Sequence, residues 1–273
     1  MSAMRKVIRS KSIFYNTSGE FIVGNVLAGH EMKENDPFLF AEDVVFPEGT
    51  FGEHPHRGIE TITYVIDGEV HHYDRANGSG VIQTGDVQWM TAGRGVLHSE
   101  EPKKGTKAHV IQLWLNLPKD EKMRPSRYQT LLHQEMPVVE ESGVSTRIFA
   151  GHYEGAQAAT KTVVDVNMYD VRLQKGVQHT ILVEEGRHPF IVLIEGKGIF
   201  GSNRIERLAP AVIHYERNGE SITVEAEEDM HFLYFDGHPL HEPIAARGPF
   251  VMNTDEELRE AFRDYREGKF ETY

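Results

Sequence analysis

The chain has no cysteine. That absence excludes a disulfide scaffold, a CxxC redox pair, a thiolate zinc site and a cysteine nucleophile. Basic residues are also scarce: 29 Lys and Arg stand against 42 Asp and Glu in 273 residues, for a net charge of −13. A general nucleic-acid binder needs a basic face to neutralise phosphates, so this balance argues against direct nucleic-acid binding. No apolar run approaches the length of a membrane-spanning helix, and the basic N-terminal stretch lacks the apolar centre of a secretory signal. A cytoplasmic protein with no membrane partner is the expectation. Histidine, by contrast, is abundant, with 15 residues. Without thiolates, any metal must be held by nitrogen and oxygen.

The apolar pattern is short and turn-punctuated. Residues 61–66 (TITYVI) are rich in β-branched side chains and end at Asp67-Gly68, a tight-turn signal. Residues 69–73 read as the return strand, Asn77 to Gly80 as a further turn, and 87–90 and 110–115 as later strands. Such spacing is the pattern of an all-β sandwich or barrel. Residues 119–137 are polar, contain Pro125 and Pro137, and read as a linker. A second β-rich half follows, in which 190–194 end at Glu195-Gly196 much as the earlier strand ends at Asp67-Gly68. The halves look like a diverged repeat. The expected organisation is a first barrel over 1–118, the linker over 119–137, and a second barrel over 138–273 that carries a C-terminal helix. That helix is signalled by the capping box Thr254 to Glu257, the stripe Leu258, Ala261, Phe262 and Tyr265, and the stop at Gly268.

Two i, i+2 pairs carry the chemistry: His54-Pro55-His56 and His98-Ser99-Glu100. Side chains alternate faces along a strand, so each pair projects to one side. Two neighbouring strands then supply three imidazoles and a carboxylate to one barrel interior. This donor set suits a divalent first-row metal with positions left open, closer to non-haem iron than to a closed zinc site. An isolated HxH is more often a pair of ordinary histidines, and it is the downstream HxE that shifts the balance. The carboxylate is ambiguous at this point, because Glu60 shares the parity of His56 if the strand runs on regularly, while Pro55 would disturb it.

The stretches 51–65 (FGEHPHRGIETITYV) and 85–100 (GDVQWMTAGRGVLHSE) resemble the signature of the pirin family of the cupin superfamily. Asp36-Pro-Phe-Leu39, Glu242-Pro-Ile and residues 248–254 (GPFVMNT) are similar to it as well. The resemblance implies an all-β bicupin of two tandem jelly-roll barrels. It implies one divalent metal in the first, Fe(II) above Mn, Co, Ni, Cu or Zn, on His54, His56, His98 and Glu100. Glu60 is then a supporting residue. The second barrel, where Leu182 and Glu184 take the places of His54 and His56, is expected to hold no metal, with His188 and His214 as surface or core histidines.

Pirins are similar to quercetin 2,3-dioxygenases. The implied reaction opens the central ring of a flavonol with O2 and releases carbon monoxide, with Glu100 taking the proton of the 3-hydroxyl. Phe51 and Met90 are candidates to contact a phenolic substrate, although core packing is the plainer role for both and for Trp89. Arg94 is a weaker candidate for an anionic group. The alternative implied by the family is a non-enzymatic, iron-binding regulator acting through a protein partner. A third reading is a metal-free small-molecule binding module.

Overall fold

The computed structural model describes residues 3–75 and 78–271. It contains two compact β units, built from interleaved segments of the chain.

The first unit comprises the described residues of 15–134 and those from Leu240 onward. Its larger sheet is antiparallel and seven-stranded, in the order Arg127–Leu131, Val87–Thr91, Ile59–Asp67, Lys107–Asn116, Phe38–Pro47, Phe21–Leu27, Tyr15–Ser18. A four-stranded sheet covers it, in the order Phe51–His56, Val96–Pro102, Glu69–Asp74, Gly78–Gln83. Val70 and Ile82 of the smaller sheet pack with Val44, Phe46, Val65 and Val110 of the larger. The first seven residues of Ile59–Asp67 are all buried. A strand covered on both faces has no reason to alternate, which accounts for its unbroken β-branched run. The strand turns back at Gly68, where φ is +96° and a Cβ would lie 2.8 Å from the Lys107 carbonyl oxygen, so only glycine fits. Of the turn expected at 77–80, Asn77 lies outside the described residues, and Gly78, Ser79 and Gly80 are strand.

The second unit comprises the described residues up to Phe14 together with Glu135–Pro239. Its seven-stranded sheet runs Val7–Ser12, Ala211–Tyr215, Phe190–Glu195, Met230–Gly237, Val166–Leu173, Val144–Ala150, Val138–Glu141. Its four-stranded sheet runs Gln178–Leu182, Ser221–Ala226, Lys197–Phe200, Ile205–Leu208. Strand for strand, this is the arrangement of the first unit. Gly196 also repeats Gly68: φ is +85°, and a Cβ would meet the Asp229 carbonyl oxygen at 2.1 Å. The interior is filled by side chains such as Ile191, Leu193, Phe200, Ile222, Phe232 and Tyr234.

Three segments depart from the expected boundaries. Val7–Ser12 pairs with Ala211–Tyr215 and so completes the second sheet, not the first. Arg5 anchors it: fully buried, it donates five hydrogen bonds to the carbonyls of Val183, Glu184, Arg187, Glu216 and Gly219. Within the expected linker, Arg127–Leu131 is the edge strand of the first sheet, paired with Val87–Thr91. Only one of its five residues is buried, which is why its sequence looks like loop. The helix Asp255–Arg266 has the expected capping box. However, Leu258 and Ala261 pack on Leu97, Phe250, Met252 and Phe270 in the first unit, where the covering apolar surface is.

Candidate metal centre

The four-stranded sheet of the first unit places the histidines. His54 stands directly opposite His98 across the antiparallel pair, and His56 opposite Val96. The three rings form a tight triangle, with centroids 4.4 Å apart for His54–His98, 5.0 Å for His54–His56 and 5.1 Å for His56–His98. One ring nitrogen from each lies within 4.8 Å of the other two.

Their hydrogen bonding suits a cation. His54 Nδ1 donates to the Gly52 carbonyl at 2.8 Å, which leaves its Nε2 as the acceptor nitrogen. His56 hydrogen-bonds the Pro249 carbonyl, and its buried Nδ1 has no partner. His98 is buried with neither ring nitrogen bonded. Buried polar atoms without partners are costly, and three converging lone pairs are what a metal would satisfy. Burial and the neighbouring His54 push His56 down to about 3. Burial and the adjoining histidines likewise hold His98 well below the ordinary imidazole range. Both rings are therefore neutral at pH 7, the form a metal requires.

Glu100 lines the same cavity but stands apart from the histidine triangle. Its Oε1 accepts from Thr63 Oγ1 at 3.0 Å and its Oε2 from Gln112 Nε2 at 2.7 Å. Burial raises its carboxyl above the ordinary value, against the opposing effects of His54 and these two hydrogen bonds. Glu60 is elsewhere. The strand carrying the histidines ends at His56, Gly58 turns the chain with φ at +79°, and a new strand begins at Ile59. Parity is not carried across that turn. Thr63 faces the cavity, so Glu60 points to the other side of the sheet, where Thr91 Oγ1 donates to it at 2.6 Å.

The cavity has a volume of about 220 Å³ and an aromatic wall that includes Phe40, Phe46, Phe51 and Trp114. Phe51 thus lies on the wall of the cavity that His54, His56 and Glu100 line. Met90 is not on this wall. It packs among Leu39, Ile59, Ala92, Val96 and Val251, and its sulfur accepts from the Tyr128 hydroxyl. Trp89 is fully buried, and the backbone carbonyl of Arg94 accepts from Arg57. Thr63, Gln112 and Glu42 are wall residues that reading by motif misses. Their signal is a polar side chain at the inward parity of an otherwise apolar strand.

In the second unit His188 and His214 are buried, and Phe190 stacks on His214. Asp165, Glu184 and His238 come close enough to hold an ion. There the Arg187 guanidinium already provides positive charge, with Nη1 2.8 Å from Asp165 and 3.7 Å from Glu184.

Comparison with known proteins bears on both halves. The pirin family model matches residues 3–115, and the pirin C-terminal cupin domain model matches residues 168–271. A pirin-like protein of Solanum lycopersicum is 40% identical over 253 residues, covering 91% of this chain and 86% of its own. Pirin of Homo sapiens is 37% identical over 244 residues, covering 88% and 84%. The crystal structure of a quercetin 2,3-dioxygenase from Acinetobacter baumannii is similar with a TM-score of 0.89 at 38% identity, covering 98% of this chain and 99% of that one. No helix among the described residues is long and apolar enough to cross a membrane. With two barrels of one strand order, a histidine triangle in the first, and family matches to each half, this chain belongs to the pirin family and is a bicupin.

Proposed function

We propose that this chain is a metal-dependent dioxygenase that opens the central ring of flavonols such as quercetin with O2 and releases carbon monoxide. The observation that carries this reading is a cavity lined by aromatic side chains, His54, His56 and the buried Glu100, with His98 completing the histidine triangle and ring nitrogens of His56 and His98 left without partners. Likeness to the Acinetobacter baumannii quercetin 2,3-dioxygenase supports it. His54, His56, His98 and Glu100 are the residues proposed to hold the ion, Fe(II) on this reading. When bound, it supplies Lewis acidity toward the flavonol 3-hydroxyl and an electron route between substrate and O2.

The protein's own part is binding and proton handling. Phe40, Phe51 and Trp114 offer flat apolar surface for a phenolic ring system and keep water from it. Glu100 takes the 3-hydroxyl proton onto a carboxylate oxygen. Its burial favours holding that proton, and Thr63 and Gln112 fix the carboxylate in place meanwhile. Glu100→Gln keeps the shape and removes the base. We expect turnover of the metal-loaded variant to fall by about 10²–10⁴-fold, with metal content by elemental analysis within about two-fold of wild type, since three imidazoles remain. Unchanged turnover would overturn the base role.

A further inference from the structure

Glu42 lies on the strand Phe38–Pro47, at the inward parity, on the cavity wall between Phe40 and Val44. Its neighbour Asp43, on the other face, is fully engaged, accepting from the Tyr15 hydroxyl at 2.7 Å and paired with His109. Glu100 has Thr63 and Gln112, and Glu60 has Thr91. Glu42 has no hydrogen bond or ion pair among the described residues, although it is half-buried on the cavity wall, with Gln112 and Asn25 opposite it on the neighbouring strands. Burial raises its carboxyl above the ordinary range, and no nearby cation offsets this. A carboxylate kept in such a place without a partner costs stability. Its position gives it a use: Gln112 stands directly opposite Glu42 in the sheet and, on its other side, opposite Thr63. Thr63, Gln112 and Glu42 are thus consecutive stations across three strands, each about 5 Å from the next. The first two hold Glu100, and the third faces the same cavity with its acceptors open.

Building on the dioxygenase reading, we propose that Glu42 is a specificity-determining residue. It accepts a hydrogen bond from a phenolic hydroxyl other than the one Glu100 deprotonates. The site therefore selects flavonols with further ring hydroxyls over flavonols that carry the 3-hydroxyl alone. Loss of that hydroxyl leaves a half-buried carboxylate facing an apolar ring, and loss of the carboxylate removes the discrimination.

The test is calorimetric binding of quercetin and of 3-hydroxyflavone, which lacks the other ring hydroxyls, to the full metal-loaded chain without O2. Wild type is expected to prefer quercetin by about 10–100-fold, the range of a charge-assisted hydrogen bond. Glu42→Leu should bring the two within about three-fold while 3-hydroxyflavone binds at least as tightly as before. Glu42→Gln, which keeps an acceptor, should restore part of the preference. A quercetin preference that survives Glu42→Leu would overturn the role of Glu42 and leave the dioxygenase reading standing. Failure of both flavonols to bind any folded, metal-loaded form would overturn the flavonol reading and this inference with it.

Discussion

Two buried cations brace the turn that follows the histidine pair. Arg57 Nε donates to the Arg94 carbonyl at 2.6 Å, its Nη1 meets Asp264 at 3.0 Å, and its guanidinium lies 4.5 Å from the centre of the Phe270 ring. Lys122 Nζ donates to the Gly58 carbonyl, Asn116 Oδ1 and the Val251 carbonyl at 2.8–3.0 Å. Burial pushes Lys122 down to about 8 from an ordinary 10.5, against the pull of Glu242, Glu257 and Asp36. The unfolded chain therefore binds the extra proton between pH 8 and 10.5, and this group's contribution to folding stability rises with pH across that window. In urea titrations, the stability of wild type relative to Lys122→Met should increase from pH 8 to pH 10.5; a flat difference would contradict the assignment. None of this is legible in the sequence. The histidine pairs announce themselves through i, i+2 spacing, whereas Arg57 and Asp264 are joined only by the fold.

At the scale of elements, the C-terminal segment forms the underside of the loop that follows His54 and His56. Pro249 accepts from His56, the Val251 amide donates to the Arg57 carbonyl, and Leu258 and Ala261 pack with Leu97, the neighbour of His98. Truncation after Asn253 removes Asp264 and Phe270 from Arg57 and exposes that cluster. We expect elemental analysis of the truncated chain to show loss of bound metal while β-sheet circular dichroism is retained; full metal content would show that the helix has no part in holding the loop. The helix itself was legible from Thr254, Glu257 and its apolar stripe, because capping and periodicity are local. Its partner was not, because an apolar stripe says that it is covered and not by what. Arg127–Leu131 escaped for the opposite reason: an edge strand with only one buried residue has little apolar pattern to read.

Across the whole molecule, one strand order has been put to two uses. The first barrel keeps Thr63, Gln112 and Glu100 facing a cavity, and the second fills its interior with Ile191, Leu193, Phe232 and Tyr234. The repeat was visible in the matched Asp67-Gly68 and Glu195-Gly196 turns, because each glycine is forced by a carbonyl that leaves no room for a Cβ. The exchange of terminal segments was hidden, since Val7–Ser12 and the final helix each serve the half of the chain more distant in sequence. On the proposed function, the first barrel opens flavonols at a metal centre. Carbon monoxide release, measured on iron-loaded protein with quercetin under O2, tests it most directly. About one carbon monoxide is expected for each flavonol consumed, with loss of the flavonol absorbance. No carbon monoxide with iron, or with Mn, Co, Ni or Cu in its place, would contradict it.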